Sequence, residues 1–317
     1  MSGPEGTLPW SVIRGAVKLA EHKNLVEPHR TAESYRTHPL SLESDLVDVA
    51  LRAADAAAAV HARFEERILD EHVADKGTAD FVSHVDLEAQ EAALRLIRQS
   101  FPGHRILSEE APPETRGEGD PAAPLWIVDP LDGTTNFLHR HPAFAASVGV
   151  IVDGIPIAGA VVAAATRERW WAARGLGAFR NDRPIQVSPV RELRRALVGT
   201  GFPFKRLAEL ASHLREIEVV LPACSGIRRG GSAALDLCYL AQGSLDVFWE
   251  TRLDPWDIAA GIVILTEAGG VARRKSGQPL EIERPGSVLA ANSDHLLASL
   301  SATLRDAESP SGTAPAE

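Results

Sequence analysis

The chain has 317 residues and a formal net charge of −10, with 33 Lys and Arg against 43 Asp and Glu. Without a Lys/Arg-rich run, that balance excludes a groove built to neutralise nucleic-acid phosphates. Its two cysteines, Cys224 and Cys238, lie outside any Cys-x-x-Cys or His-rich spacing, which excludes a disulfide framework and a zinc site and leaves two reduced, buried thiols. The first 30 residues hold no apolar run long enough for a signal peptide, and no later stretch reaches membrane-spanning length, so a cytoplasmic protein without membrane association is expected.

Residues 1–40 mix Gly, Pro, Glu and His with short apolar patches and read as a mobile extension. From Ser41, a residue suited to an N-cap, Leu46, Val49, Ala53, Ala57, Val60 and Phe64 recur every three or four positions, which predicts an amphipathic helix. A second helix is predicted from Asp86 to about Ser100, stopped by Pro102-Gly103. Ile106-Leu107 forms a short strand, so Glu109 and Glu110 follow a strand end. Glu114 to Pro124 is a Pro/Gly/Glu-rich loop, and the apolar run Leu125 to Val128 is a strand expected to stop at Asp129-Pro130. Ala145 to Val152 and Ile155 to Ala164 flank Asp153-Gly154, a two-residue hairpin signal. Helical pattern returns at Ser232 to Ala241, Val247 to Trp249 is extended, and Asp257 to Ala268 reads as a helix ended by Gly269-Gly270. A strand at Val288 to Ala291 precedes a last helix from about Ser293, and residues 308–317 read as a disordered tail. The pattern agrees with an α/β or α+β domain over residues 41–307.

Four acidic residues, Glu109, Asp129, Asp132 and Asp257, stand beside predicted strand ends or helix starts. Like charges about 4 Å apart repel by roughly 4 kcal/mol per pair at an effective dielectric of 20, so their convergence would require cations. An all-oxygen set favours Mg²⁺ over zinc or copper. Gly133-Thr134-Thr135 can open a helix whose free N–H groups face whatever Asp129 and Asp132 hold, which suits a metal-bound phosphate. Each residue also has a plainer reading. Asp86, Thr134 and Asp257 are all placed where a helix cap would stand, Lys76 suits a solvated surface position, and Glu250 a solvated strand end.

The stretch Asp129-Pro130-Leu131-Asp132-Gly133-Thr134-Thr135-Asn136-Phe137 resembles the signature of the inositol monophosphatase family, with Ser108-Glu109-Glu110 upstream and Pro255-Trp256-Asp257 to Gly261 downstream. Lys76 to Asp86, Thr200 to Lys205, Gly230-Gly231-Ser232 to Asp236 and Glu267 to Gly270 follow in the family's order, over roughly residues 42–305, most similar to bacterial inositol-1-monophosphatases. Ser108 stands where many relatives have Gly, and Ala111 where a small hydroxyl residue is common; neither change removes a ligand.

The resemblance implies the sugar-phosphatase fold, an αβαβα sandwich of alternating helix and sheet layers, and a Mg²⁺-dependent, lithium-sensitive hydrolase that forms a homodimer. It implies one Mg²⁺ held by Glu109, Asp129 and the Leu131 carbonyl and a second by Asp129, Asp132 and Asp257, with a third, weaker position on the Glu109 side. It further implies that Thr134, paired with Asp86 and helped by Glu109, orients the attacking water, and that the Gly133 and Thr134 N–H groups hold the phosphate. Asp132, Ala233, Glu250 and Asp257 would contact ring hydroxyls, Glu250 as an exposed acceptor. The expected substrate is a small phosphate monoester, myo-inositol 1-phosphate first. Fructose 1,6-bisphosphate is the main rival, and phosphoadenosine phosphate and histidinol phosphate are weaker ones. A role through a protein partner in a transcription complex is the alternative of another class.

Two other chemistries fail on spacing. A dehalogenase-type phosphatase needs its second Asp two residues after the first, and Gly230-Gly231-Ser232 lacks the glycine that completes a nucleophile elbow. Gly175-Leu176-Gly177 lacks the third glycine of a dinucleotide fingerprint and reads as a turn, and His139 and His141 read as solvated loop residues.

Overall fold

A computed structural model describes residues 42–64, 73–77, 80–112, 117–204 and 206–307, with the backbone alone for 73–83. The predicted extension over 1–40, Ser41, the Lys76 side chain, Lys205 and the tail over 308–317 lie outside the described residues.

The first helix, α1 (Leu42–Phe64), carries Leu46, Val49, Ala50, Ala53, Ala57 and Val60 on one buried face. Its many alanines let it lie close against its neighbours. A two-stranded ribbon, β1 (Val73–Gly77) and β2 (Asp80–Ser83), leads into α2 (His84–Ser100). Seven strands follow, joined in chain order into one sheet: β3 (Arg105–Ser108), β4 (Leu125–Asp132), β5 (Ala145–Val152), β6 (Ile155–Ala163), β7 (Glu168–Ala173), β8 (Gly177–Arg180) and β9 (Arg183–Pro184). Only β3 and β4 pair in parallel in that sheet. A short helix, α3 (Thr134–Leu138), interrupts the path from β4 to β5. Asp153 and Gly154 turn β5 into β6 with φ of 51° and 74°, the two positive values that a type I′ hairpin demands.

The second half builds a five-stranded sheet ordered β11-β10-β12-β14-β13 from β10 (Leu197–Thr200), β11 (Gly226–Arg228), β12 (Val247–Leu253), β13 (Val271–Arg273) and β14 (Gly286–Ala291). Its helices are α4 (Leu210–Val220), α5 (Ala233–Ala241), α6 (Pro255–Glu267) and α7 (Asp294–Asp306). Three apolar clusters define the layers. One joins α1 and α2 to a face of the large sheet, the second fills the space between the two sheets around α5 and α6, and the third joins α4 and α7 to the outer face of the small sheet. The result is the αβαβα sandwich.

Sequence reading and structure differ at β4. The strand does not stop at Val128: Asp129 pairs with Ser147, the register shifts, and pairing resumes at Asp132 opposite Ala145. Pro130 has no N–H to give a ladder, and a bulge removes it from pairing while the strand continues. The helix expected from Asp257 begins earlier, at Pro255, because Asp254 is its N-cap. Strands β7 to β9 and helix α4 were not legible in the sequence.

Helix α6 is apolar on nearly every side because both sheets cover it. It seats against β5 and β6 where Gly149 and Gly159 remove the side chain. A Cβ at Gly149 would stand 2.7 Å from Ala259 Cβ, and one at Gly159 would stand 2.8 Å from Ala260 Cα. Overpacking of this kind costs about 1–3 kcal/mol. Gly159→Val is therefore expected to lower unfolding stability by that amount in urea titration, and wild-type stability in the variant would contradict the close seating of α6.

Candidate metal centre

The bulge in β4 and the starts of α5 and α6 meet at one point. Asp129 turns its Oδ1 back to accept the N–H of Leu131 at 3.0 Å. Asp132 Oδ2 accepts the Ser232 hydroxyl at 2.6 Å and the Ala234 N–H at 2.8 Å, at the N-terminus of α5. Asp257 is the N3 residue of α6, and its Oδ2 accepts the Asp254 N–H at 2.6 Å, closing a capping box with Asp254. Helix N-termini favour negative charge, and both helices present theirs to a carboxylate here.

One carboxylate oxygen from each of Asp129, Asp132 and Asp257 lies within 4.8 Å of the others. Burial pushes the Asp129 carboxyl well above the usual range, and the charges of Glu109, Asp132 and Asp257 push it further. Burial likewise raises Asp257, with Asp132 and Glu109 adding to it. The donors are hard oxygens with no His or Cys among them, so the residues present fit Mg²⁺.

These carboxylates line the floor of a cavity of about 230 Å³. Glu109 lines it too, directly after β3, and its charge reaches Asp129 and Asp257, although it is not part of the three-oxygen cluster. Ser108 is buried and donates its hydroxyl to Gln90 Oε1 on α2 at 2.5 Å, which ties down the strand end before Glu109. Leu131, Gly133 and Thr134 line the cavity, whereas Asp86 is buried behind Thr134. The Thr134 Oγ1 lies 3.2 Å from Asp86 Oδ1 and 3.1 Å from the Leu131 carbonyl, so its single proton has two acceptors.

Ala233 and Glu250 complete the opposite wall. Glu250 is half-buried, not the exposed acceptor expected. Burial, reinforced by Asp132 and partly offset by Arg229, raises its pKa to about 8. Its carboxylate packs on the backbone at Gly201, where a Cβ would collide with it.

Several contributors escaped the sequence reading. Ser232, placed there at a helix start and rejected as a nucleophile, orients Asp132 and also caps α5. Asp254 holds Asp257; the Asp-Pro-x-Asp pattern before an apolar run was the signal that could have found it. Asn136 joins α3 to the other half of the chain, donating to the Ala143 carbonyl at 2.6 Å and the Gly230 carbonyl at 3.0 Å. Arg229, whose guanidinium sits 4.7 Å over the Phe204 ring, and the buried Asp236 also line the cavity. His139 and His141 are exposed, away from that lining.

The profile of the inositol monophosphatase family matches residues 42–309. The chain is 38% identical to the Nus factor SuhB of Pseudomonas aeruginosa over 249 residues, covering 78% of this chain and 91% of that one. It is 40% identical to the inositol-1-monophosphatase of a Synechocystis species over 223 residues, covering 70% of this chain and 76% of that one. The solved structure of inositol monophosphatase from an Anabaena (Nostoc) species superimposes with a TM-score of 0.73 at 37% identity, covering 82% of this chain and 95% of that one.

The raised carboxyl values fix a sign. In the metal-free protein the folded state retains protons that the unfolded chain releases near pH 4, so this contribution to stability is lost as pH rises above about 4. A divalent cation replaces those protons. The rise in thermal midpoint caused by Mg²⁺ is therefore expected to be larger at pH 8 than at pH 5, measured against chelator at each pH. An equal rise at both, or none, would contradict the cluster's role.

Proposed function

The chain belongs to the inositol monophosphatase family and is a phosphatase of that superfamily; from this premise we propose that it is an inositol-phosphate phosphatase, using Mg²⁺ to hydrolyse myo-inositol 1-phosphate to inositol and inorganic phosphate. The observation that carries the reading is the meeting of Asp129, Asp132 and Asp257 on the floor of a cavity that also presents Thr134 and Glu109. Two cations, or a third with them, would be held by these three carboxylates together with Glu109 and the Leu131 carbonyl. When bound, Mg²⁺ supplies charge neutralisation and makes a coordinated water acidic enough to be a nucleophile near neutral pH.

The chain's own residues would supply the rest. With its proton directed to Asp86 Oδ1, Thr134 Oγ1 is free to accept a hydrogen bond from the attacking water and orient it, with Glu109 as the second acceptor. The Gly133 and Thr134 N–H groups, at the start of α3 where no intrahelical acceptor exists, would hold phosphate oxygens. Arg206, Arg229 and Arg252 on the cavity wall would draw an anionic ester towards the acidic floor once cations occupy it. Asp132, Asp257, Glu250 and the Ala233 backbone would take the hydroxyls of the leaving polyol.

Fructose 1,6-bisphosphate is the competing substrate of the same chemistry. A second reading, of a protein that acts through a partner in transcription, is favoured by relatives named Nus factor SuhB. We also propose a homodimer, supported by the row Leu207, Leu214 and Leu221, each 48–61% exposed at seven-residue spacing, as an apolar surface that a second copy would cover. The proposed setting is the cytoplasm, and no described helix is long and apolar enough to cross a membrane.

Phosphate release with Mg²⁺ from inositol 1-phosphate, fructose 1,6-bisphosphate, phosphoadenosine phosphate and histidinol phosphate is expected to favour the first. Asp129→Asn is expected to lose roughly 1,000-fold in kcat/KM, the equivalent of about 4 kcal/mol of transition-state stabilisation. Preference for another substrate would move the assignment, and no turnover from any would favour the partner reading. In cells, an effect that survives Asp129→Asn would do the same.

A further inference from the structure

We propose that His61 is a positioning residue of the metal centre: from α1 it fixes the peptide plane that aims the Asp129 carboxylate. The inference rests on the reading of Asp129 as a metal ligand. The bulge in β4 leaves Pro130 and Leu131 between two paired residues, with no ladder partner opposite them. Pro130 is buried, and a buried carbonyl without a donor is costly. The donor comes from 69 residues earlier in the chain: His61 Nε2 lies 2.8 Å from the Pro130 carbonyl oxygen. A carbonyl only accepts, so the ring carries a proton on Nε2, and full burial favours the neutral ring.

The geometry passes through one rigid unit. The Pro130 carbonyl and the Leu131 N–H belong to the same planar peptide. His61 holds one end of that plane, and the other end donates to Asp129 Oδ1 at 3.0 Å. Rotating this peptide would break both bonds together and turn Asp129 within the cluster. The remainder of the ring has no competing polar task. His61 is 0% exposed, its Nδ1 has no hydrogen-bond partner among the described residues, and its faces and edges meet Phe137 and Phe144 at centroid distances of 5.9 and 5.8 Å. Phe137 lies on α3, the helix that begins with Thr134, so the same ring braces both sides of the turn.

The test compares His61→Phe, which keeps an aromatic ring but removes the donor, with His61→Gln, which keeps an N–H donor. Mg²⁺ binding is measured by calorimetry, and kcat and KM are measured at saturating Mg²⁺. Outer partners of metal ligands typically govern metal affinity by about 10–100-fold. His61→Phe is expected to bind Mg²⁺ that much more weakly with substrate KM nearly unchanged, and His61→Gln to recover most of the loss. Wild-type Mg²⁺ affinity in His61→Phe, or no recovery in His61→Gln, would overturn the inference. A wild-type protein that binds no Mg²⁺ would overturn the metal reading with it. A measurement without variants guards against misfolding: the histidine ¹⁵N spectrum of the wild-type protein is expected to show an Nε2–H tautomer whose resonance moves as Mg²⁺ is added. An Nδ1–H tautomer, or a resonance indifferent to Mg²⁺, would also overturn it.

Discussion

Three carboxylate oxygens within 4.8 Å of one another, in a largely buried site, repel by roughly 3–4 kcal/mol per pair at an effective dielectric of 20. Much of the surrounding architecture is arranged to hold them there. Each carboxylate is bound by a backbone N–H: Asp129 by Leu131, Asp132 by Ala234, Asp257 by Asp254. Those bonds orient the groups without cancelling the repulsion; burial first, and then the neighbouring charges, push the Asp129 and Asp257 carboxyls well above the usual range. Protons or cations must supply the remainder. A phosphatase of this superfamily can thus keep a strained acidic cluster that would be a liability in a protein without metal chemistry.

The layered fold makes the convergence possible. The cluster lies where a bulged strand of the large sheet meets the first turns of the two helices packed between the sheets. Gly149 and Gly159 let α6 approach the large sheet closely, and α6 carries Asp257 in its first turn. Ser232 connects the same point to α5, serving as helix cap and as donor to Asp132. A displacement of either middle-layer helix would therefore be felt at a carboxylate. Packing in this protein is part of the electrostatics of the site.

How much was legible in the sequence follows from whether each signal was local. The periodicity of α1, the Asp153-Gly154 hairpin and the Gly269-Gly270 helix stop are written in neighbouring residues, and the structure contains all three. The closeness of Asp129 and Asp132 is local as well; the arrival of Asp257 beside them came from the resemblance, because no spacing rule connects it to β4. The short strands around Trp170-Trp171 gave too little alternation to read, and α4 turns part of its apolar row outwards, which blurs its amphipathic pattern. The expected strand end at Val128 gave way to a bulge because proline's missing N–H can be set outside the ladder. His61 left no trace within an alanine-rich helix, since its one hydrogen bond is made to a residue far along the chain.

The hard oxygen donors of this cluster suit divalent cations. The most direct measurement is anomalous diffraction from crystals grown with Mn²⁺, an oxygen-preferring ion that scatters more strongly than Mg²⁺. At least one anomalous peak is expected, bonded to carboxylate oxygens of Asp129, Asp132 and Asp257 at about 2.0–2.3 Å by analogy with hard cations on oxygen ligands. A well-ordered cluster with no peak, its carboxylates bridged by protons or occupied by an arginine, would contradict it.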